Sequence, residues 1–154
     1  MEKRHEVLLN QLKTYRQGIL YFMEDITEEQ ADIIPNGFNN NIRWNLGHVF
    51  LDQYDWIHAV TKEKMDIPDN FREWFGYGTS PYDWQETPPN LAELKTLLEN
   101  QPDTIHRLYA DKMEVEFPAI HLGIHTVEQV LPRIIFHEGI HYRDIQLLKR
   151  FIIK

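Results

Sequence analysis

From Thr126 towards the C-terminus, apolar side chains recur at Val127, Val130, Leu131 and Ile134, then at Ile145, Leu148 and Ile152. This is the spacing of one buried face of an α-helix. The middle of that face falls on positions 137, 138 and 141, and two of these are histidines. Imidazoles one helical turn apart point the same way. Buried polar groups without partners are costly. A metal ion shared by His137 and His141 satisfies both, and His-x3-His on a helix is a known zinc-site geometry. The competing solution is a pair of core histidines bonded to carbonyls or carboxylates.

Three further stripes have the same period. The first runs through Leu8, Leu12, Tyr15, Ile19, Phe22, Met23 and Ile26, predicting a helix over 5–26. A capping-box pattern, Thr27 to Gln30, opens a short turn that Pro35 and Gly37 end. The second stripe is Leu46, Val49, Phe50, Ile57 and Val60, on a helix over 42–62 capped by Asn40 or Asn41. His48 lies at the edge of that face and matters chemically only if it meets the His137/His141 pair. Gly47 beside it marks a close approach of backbone or ligand. The third stripe is Leu91, Leu94, Leu97, Leu98, Ile105 and Leu108, opened by Asn90 and Glu93, with a kink or a short break predicted near Gln101 because Pro102 lies inside it. A bend is predicted at Pro132 in the last helix.

Residues 63–89 show no period but are rich in aromatics, prolines and glycines, with room for a short helix around 71–75. So long a connection in a compact domain is often functional; it could wall a pocket or simply cover the core. His121 and His125 are a weaker rival metal pair, in an irregular stretch with a possible hairpin. Four amphipathic helices bury their stripes together as a four-helix bundle, an all-α fold, here with long crossover connections. One domain spanning 1–154 is the reading. In such a bundle, metal sites are built from facing helices, and one His from the second helix could join two from the fourth.

Composition narrows the partners. The formal net charge of −8 argues against a nucleic-acid surface, which needs basic clusters. No apolar run is long enough to span a bilayer, and the charged start lacks a signal-peptide core. The chain has no cysteine, which excludes disulfides and thiolate ligands and suits a reducing compartment. A cytoplasmic location is the expectation.

Two segments resemble the DinB/YfiT-type family of metal-binding helix bundles: Asn41-Ile42-Arg43-Trp44-Asn45-Leu46-Gly47-His48 and His137-Glu138-Gly139-Ile140-His141. Their order and spacing extend the likeness over nearly the whole chain. The resemblance implies one divalent metal ion per chain on His48, His137 and His141, in a site open to water or substrate, and a homodimer. It also implies transfer of a low-molecular-weight thiol onto an electrophile, a detoxification chemistry. The family often has Gln where this chain has Asp144, which weakens any transfer of substrate specificity.

Three imidazoles suit zinc or nickel, and also iron. The ion would acidify a thiol or a water. Hydrolysis by activated water, or a non-enzymatic metal-binding stress-response bundle, are the alternatives. Residues 137–141 also fit H-E-x-x-H, in which Glu138 would be a general base, but no His or Glu follows His141 to complete a protease site. Asp52, Asp144 and Trp44 are the candidates to support the ligands or wall the pocket.

Overall fold

The computed structural model describes residues 1–153. Six helices follow one another: α1 (Lys3–Phe22), α2 (Glu28–Asp32), α3 (Ile42–Thr61), α4 (Phe71–Phe75), α5 (Leu91–Tyr109) and α6 (Val127–Ile152). Single 3-10 turns lie at Pro81–Asp83 and His121–Gly123. No helix among the described residues is long and apolar enough to cross a membrane.

Local chemistry sets the helix starts. Thr27 with Gln30, and Asn90 with Glu93, form the reciprocal capping boxes their spacing predicts. Asn41 caps α3, its side-chain oxygen accepting from the Trp44 amide at 2.8 Å. Thr126 caps α6, its hydroxyl oxygen accepting from the Gln129 amide at 3.2 Å, while the Gln129 side-chain oxygen accepts from the His125 amide at 2.8 Å. α1 begins earlier than its stripe implies because Glu2 and His5 cap one another.

The four long helices make a ring in which α6 lies beside α1 and α3, and α5 closes the opposite side. Pairing fixes their directions. Arg4 meets Glu128 and Lys149 meets Asp25, so α1 and α6 run parallel. Lys13 meets Asp103 while Lys95 donates to the Met23 carbonyl, so α5 is antiparallel to α1. α3 and α5 are therefore parallel neighbours, and the long connection 62–90 is the crossover that parallel neighbours require. Leu12, Ile19, Leu46, Ile57, Leu94, Ile105, Ile134 and Ile145 are completely enclosed at the centre; each such side chain contributes about 2 kcal/mol by burial.

One polar network crosses this core. The Arg16 guanidinium donates to both Glu138 oxygens at 2.7 and 3.2 Å, to the Leu98 carbonyl at 2.6 Å and to Gln101 at 3.2 Å. Gln53 donates to Glu138 at 2.5 Å. Arg16 and Glu138 are each 1% exposed. The network explains two departures from the stripes. Tyr15, expected in the core, is exposed, because α1 turns Arg16 inward instead. α5 is one continuous helix through Pro102, so of the predicted kink or short break the break does not occur. Proline leaves the carbonyl four residues earlier, Leu98, without its helical N–H, and Arg16 supplies the missing donor.

Candidate metal centre

His48 on α3 and His137 and His141 on α6 meet across the seam between these antiparallel helices. The His137 Nε2 lies 3.3 Å from the His48 Nε2 and 3.2 Å from the His141 Nε2. One ligand atom from each ring lies within 4.8 Å of the others. His48 and His141 are buried, while His137 is 14% exposed and is the ring nearest solvent.

The opposite edge of each ring decides what these nitrogens carry. The His48 Nδ1 lies 2.7 Å from the Phe75 carbonyl oxygen. A carbonyl only accepts, so Nδ1 bears the hydrogen. The His141 Nδ1 lies 2.7 Å from the Asn45 side-chain oxygen. The Asn45 amide nitrogen donates to the Asn41 carbonyl at 2.8 Å and to Asn40 at 3.2 Å, which fixes the oxygen towards His141. The His137 Nδ1 lies 3.0 Å from Asp52 Oδ2, close but off the axis of a linear hydrogen bond. A lone pair facing that carboxylate would be repelled, so here too the hydrogen sits on Nδ1. Rings held in these tautomers direct three Nε2 lone pairs towards one point.

That donor set fits a divalent cation. Zinc–imidazole bonds of about 2.0–2.1 Å place tetrahedral ligand nitrogens roughly 3.4 Å apart, close to the two separations found. Oxygen acceptors behind metal-binding imidazoles fix the tautomer and strengthen the donor. The electrostatics favour the neutral form of His141 and His48. Burial, with the neighbouring rings His137 and His48, pushes the His141 pKa down to about 3. Burial also lowers that of His48, against the opposing Phe75 carbonyl. Burial alone would raise the Asp52 carboxyl, but His137 and Arg133 hold it below its ordinary value.

The sequence candidates separate clearly. His48, His137 and His141 come together, Asp52 stands behind His137, and Trp44 stacks on His48 with ring centroids 4.6 Å apart and planes 10° from parallel. Asp144 is half-buried, with its carboxyl raised by burial, and it is Asn45 that backs His141. Glu138 faces the other side of α6, both oxygens taken by the core network, so no substrate at the histidines can use it as a base. His121 is exposed, and His125 turns back to the Gly123 carbonyl, so this pair forms no site. The sequence reading missed Asn45 and the Phe75 carbonyl. Asn45 was within reach, since it lies one turn before His48 on the same helix; a backbone carbonyl has no residue-type signal.

A comparison with curated proteins returns no match. The family model described as DinB superfamily matches residues 11–145, which include all six helices in whole or in part and all three histidines. On that match, and with the histidine geometry its two motifs imply, the chain belongs to the DinB superfamily.

Proposed function

We propose that His48, His137 and His141 bind one divalent metal ion per chain, zinc or nickel before iron, and that the centre activates a low-molecular-weight thiol for transfer to an electrophile. The observation that carries the metal reading is that the Nδ1 edges of His48 and His141 are hydrogen-bonded to oxygen acceptors and that of His137 faces the Asp52 carboxylate, which turns the three Nε2 atoms towards one another as a ligand set. Membership of a metal-binding superfamily supports it. Bound there, the ion supplies Lewis acidity that holds a thiol, or a water, deprotonated at neutral pH.

The protein's own contribution is orientation and access. Three protein ligands leave coordination positions for a small molecule. Trp44 shields the face of His48, and the centre opens past His137, where Asp52 and Arg133 form the rim. The Arg133 guanidinium carbon lies over the Trp56 ring, 4.6 Å from its centroid, a cation beside the opening. Glu138 belongs to the core network in this proposal, not to catalysis. A cytoplasmic homodimer is part of the same reading: a chain without cysteine suits a reducing compartment, and Phe136 and Ile140 leave an exposed apolar strip on α6.

The test is metal content of untagged protein, followed by thiol-transfer assays on zinc- and nickel-loaded protein with small thiols and an alkylating electrophile. One ion per chain and thiol-dependent consumption of the electrophile are expected. Turnover of ester or amide substrates without thiol would instead favour hydrolysis. Metal binding with neither activity would leave the non-enzymatic bundle.

A further inference from the structure

Residues 62–90 supply no imidazole to the centre, yet two restraints on His48 originate there. One is the Phe75 carbonyl, at the end of α4, which accepts from Nδ1 at 2.7 Å. The other acts through Trp44. Its ring stacks on His48, and its indole N–H donates to the Thr79 hydroxyl oxygen at 2.9 Å. The Thr79 hydroxyl donates in turn to the Gly76 carbonyl at 2.8 Å. One edge and one face of the His48 ring are thus pinned by a single turn, Phe75 to Thr79.

Gly47 makes the approach possible. A Cβ at this position would lie 2.4–2.5 Å from three carbons of the Phe75 ring, nearer than such atoms approach. The ring cannot retreat. It is wholly buried and wedged against Phe71 and Trp84, with centroids 5.1 and 5.9 Å away. The need for glycine here is one of space inside a helix, where glycine otherwise costs stability.

We infer that Gly47, Phe75 and Thr79 are positioning residues for the metal ligand His48, so that docking of the aromatic connection on α3 and loading of the centre are coupled. The inference rests on the three-histidine reading. A ring that donates from Nδ1 to a fixed carbonyl is a stronger ligand through Nε2. By reciprocity, a loaded centre holds the connection down as firmly as the docked connection raises metal affinity.

The experiment measures zinc affinity by competition with a chromophoric chelator, and the His48 tautomer by 15N NMR of metal-free protein. It uses wild type, Gly47→Ala, Thr79→Val and, as a remote core lesion, Leu12→Ala. Wild type should show His48 as a single Nδ1–H tautomer. Gly47→Ala should show a mixture and bind zinc about 10–100-fold more weakly, the range for losing a group that orients a ligand. Thr79→Val should keep the fold and shift both readouts the same way by less. Leu12→Ala should lose stability and leave both unchanged. Wild-type affinity and tautomer in folded Gly47→Ala would overturn the inference, as would an equal zinc loss in Leu12→Ala. If Gly47→Ala does not fold, Thr79→Val decides by the same two readouts. If wild type takes up no zinc, the metal reading fails by itself, and the tautomer still decides: Nδ1–H in wild type but not in Gly47→Ala supports positioning, and a mixture in wild type overturns it.

Discussion

Among the described residues, two groups of three side chains bring possible ligand atoms within 4.8 Å of one another: His48, His137 and His141, and, at the start of α1, His5, Glu114 and Glu128. By residue type alone, the cluster around His5 is as capable as the three histidines. The difference lies in which ring nitrogen is already committed. The His5 Nδ1 accepts from the Glu2 amide at 3.3 Å, so the neutral ring carries its hydrogen on Nε2. That hydrogen, not a lone pair, faces the Glu114 and Glu128 carboxylates at 3.5 and 3.4 Å. Arg4 pairs with both carboxylates and neutralises them. At the three-histidine centre the Nδ1 of His48 and of His141 donates outward, that of His137 faces the Asp52 carboxylate, and no cationic side chain occupies the middle. Proximity is common to both clusters; the hydrogen-bond commitments behind the rings distinguish a ligand set from a helix cap.

The largest expected effect breaks the comparison directly. Zinc titrated into metal-free wild type, followed by calorimetry, should saturate at one equivalent. His48→Ala, His137→Ala and His141→Ala should each lose measurable binding, while His5→Ala and Glu128→Gln keep the wild-type stoichiometry. A second equivalent that disappears with His5→Ala would show that the capping bond at Glu2 yields to a metal, and the tautomer argument would fall.

Next in size is a change one residue from a ligand. Glu138 adjoins His137 but turns into the core, so Glu138→Gln breaks the pair with Arg16 and leaves a buried cation uncompensated. Such losses cost about 3–5 kcal/mol. Urea unfolding should show a loss of that order, while the folded protein still binds one zinc. Loss of zinc with little loss of stability would return Glu138 to the centre.

Metal-free protein should also be sensitive to acid through its ligands. An unfolded imidazole takes up its proton near pH ~6.5, whereas His141 in the fold does so only at about 3. Between those values the unfolded chain binds more protons. Stability from the neutral ring is therefore complete above pH ~6.5 and drains as the pH falls, by a few kcal/mol at most. His141→Asn, uncharged throughout, should show a shallower loss in unfolding curves taken across that window. An identical slope would mean that the folded ring already accepts a proton.

What could be read in the sequence follows from how local each signal is. The starts of α2 and α5 were legible because a capping box is complete within four residues, at Thr27 and at Asn90. The His-x3-His pair was legible because one helix presents both rings. Arg16 was not: alone it reads as a solvated charge, and its burial depends on Glu138, 122 residues away. Distance along the chain also hid the fate of Pro102, since the donor that replaces its missing N–H comes from another helix, 82 residues before Leu98. The crossover 62–90 was visible as a long aromatic connection, but its contribution to the centre is a backbone oxygen, which any residue type could provide.

The smallest expected effect falls on the His5 cluster and separates a cap from a ligand. His5 and Glu2 share reciprocal bonds at the start of α1, and losing a cap interaction costs about 1 kcal/mol. His5→Ala should lower stability by roughly that amount, and the loss should be the same with and without zinc. The invariance is the informative part. A ligand variant forfeits the stabilisation that bound metal confers on the folded state, so its deficit relative to wild type grows as zinc is added. A cap variant keeps its centre, gains as much from zinc as wild type, and shows a constant deficit. Thermal unfolding of wild type, His5→Ala and His141→Ala across a zinc series measures this directly: parallel curves for the first two and a flat one for the third, because two of these histidines present opposite nitrogens to their surroundings.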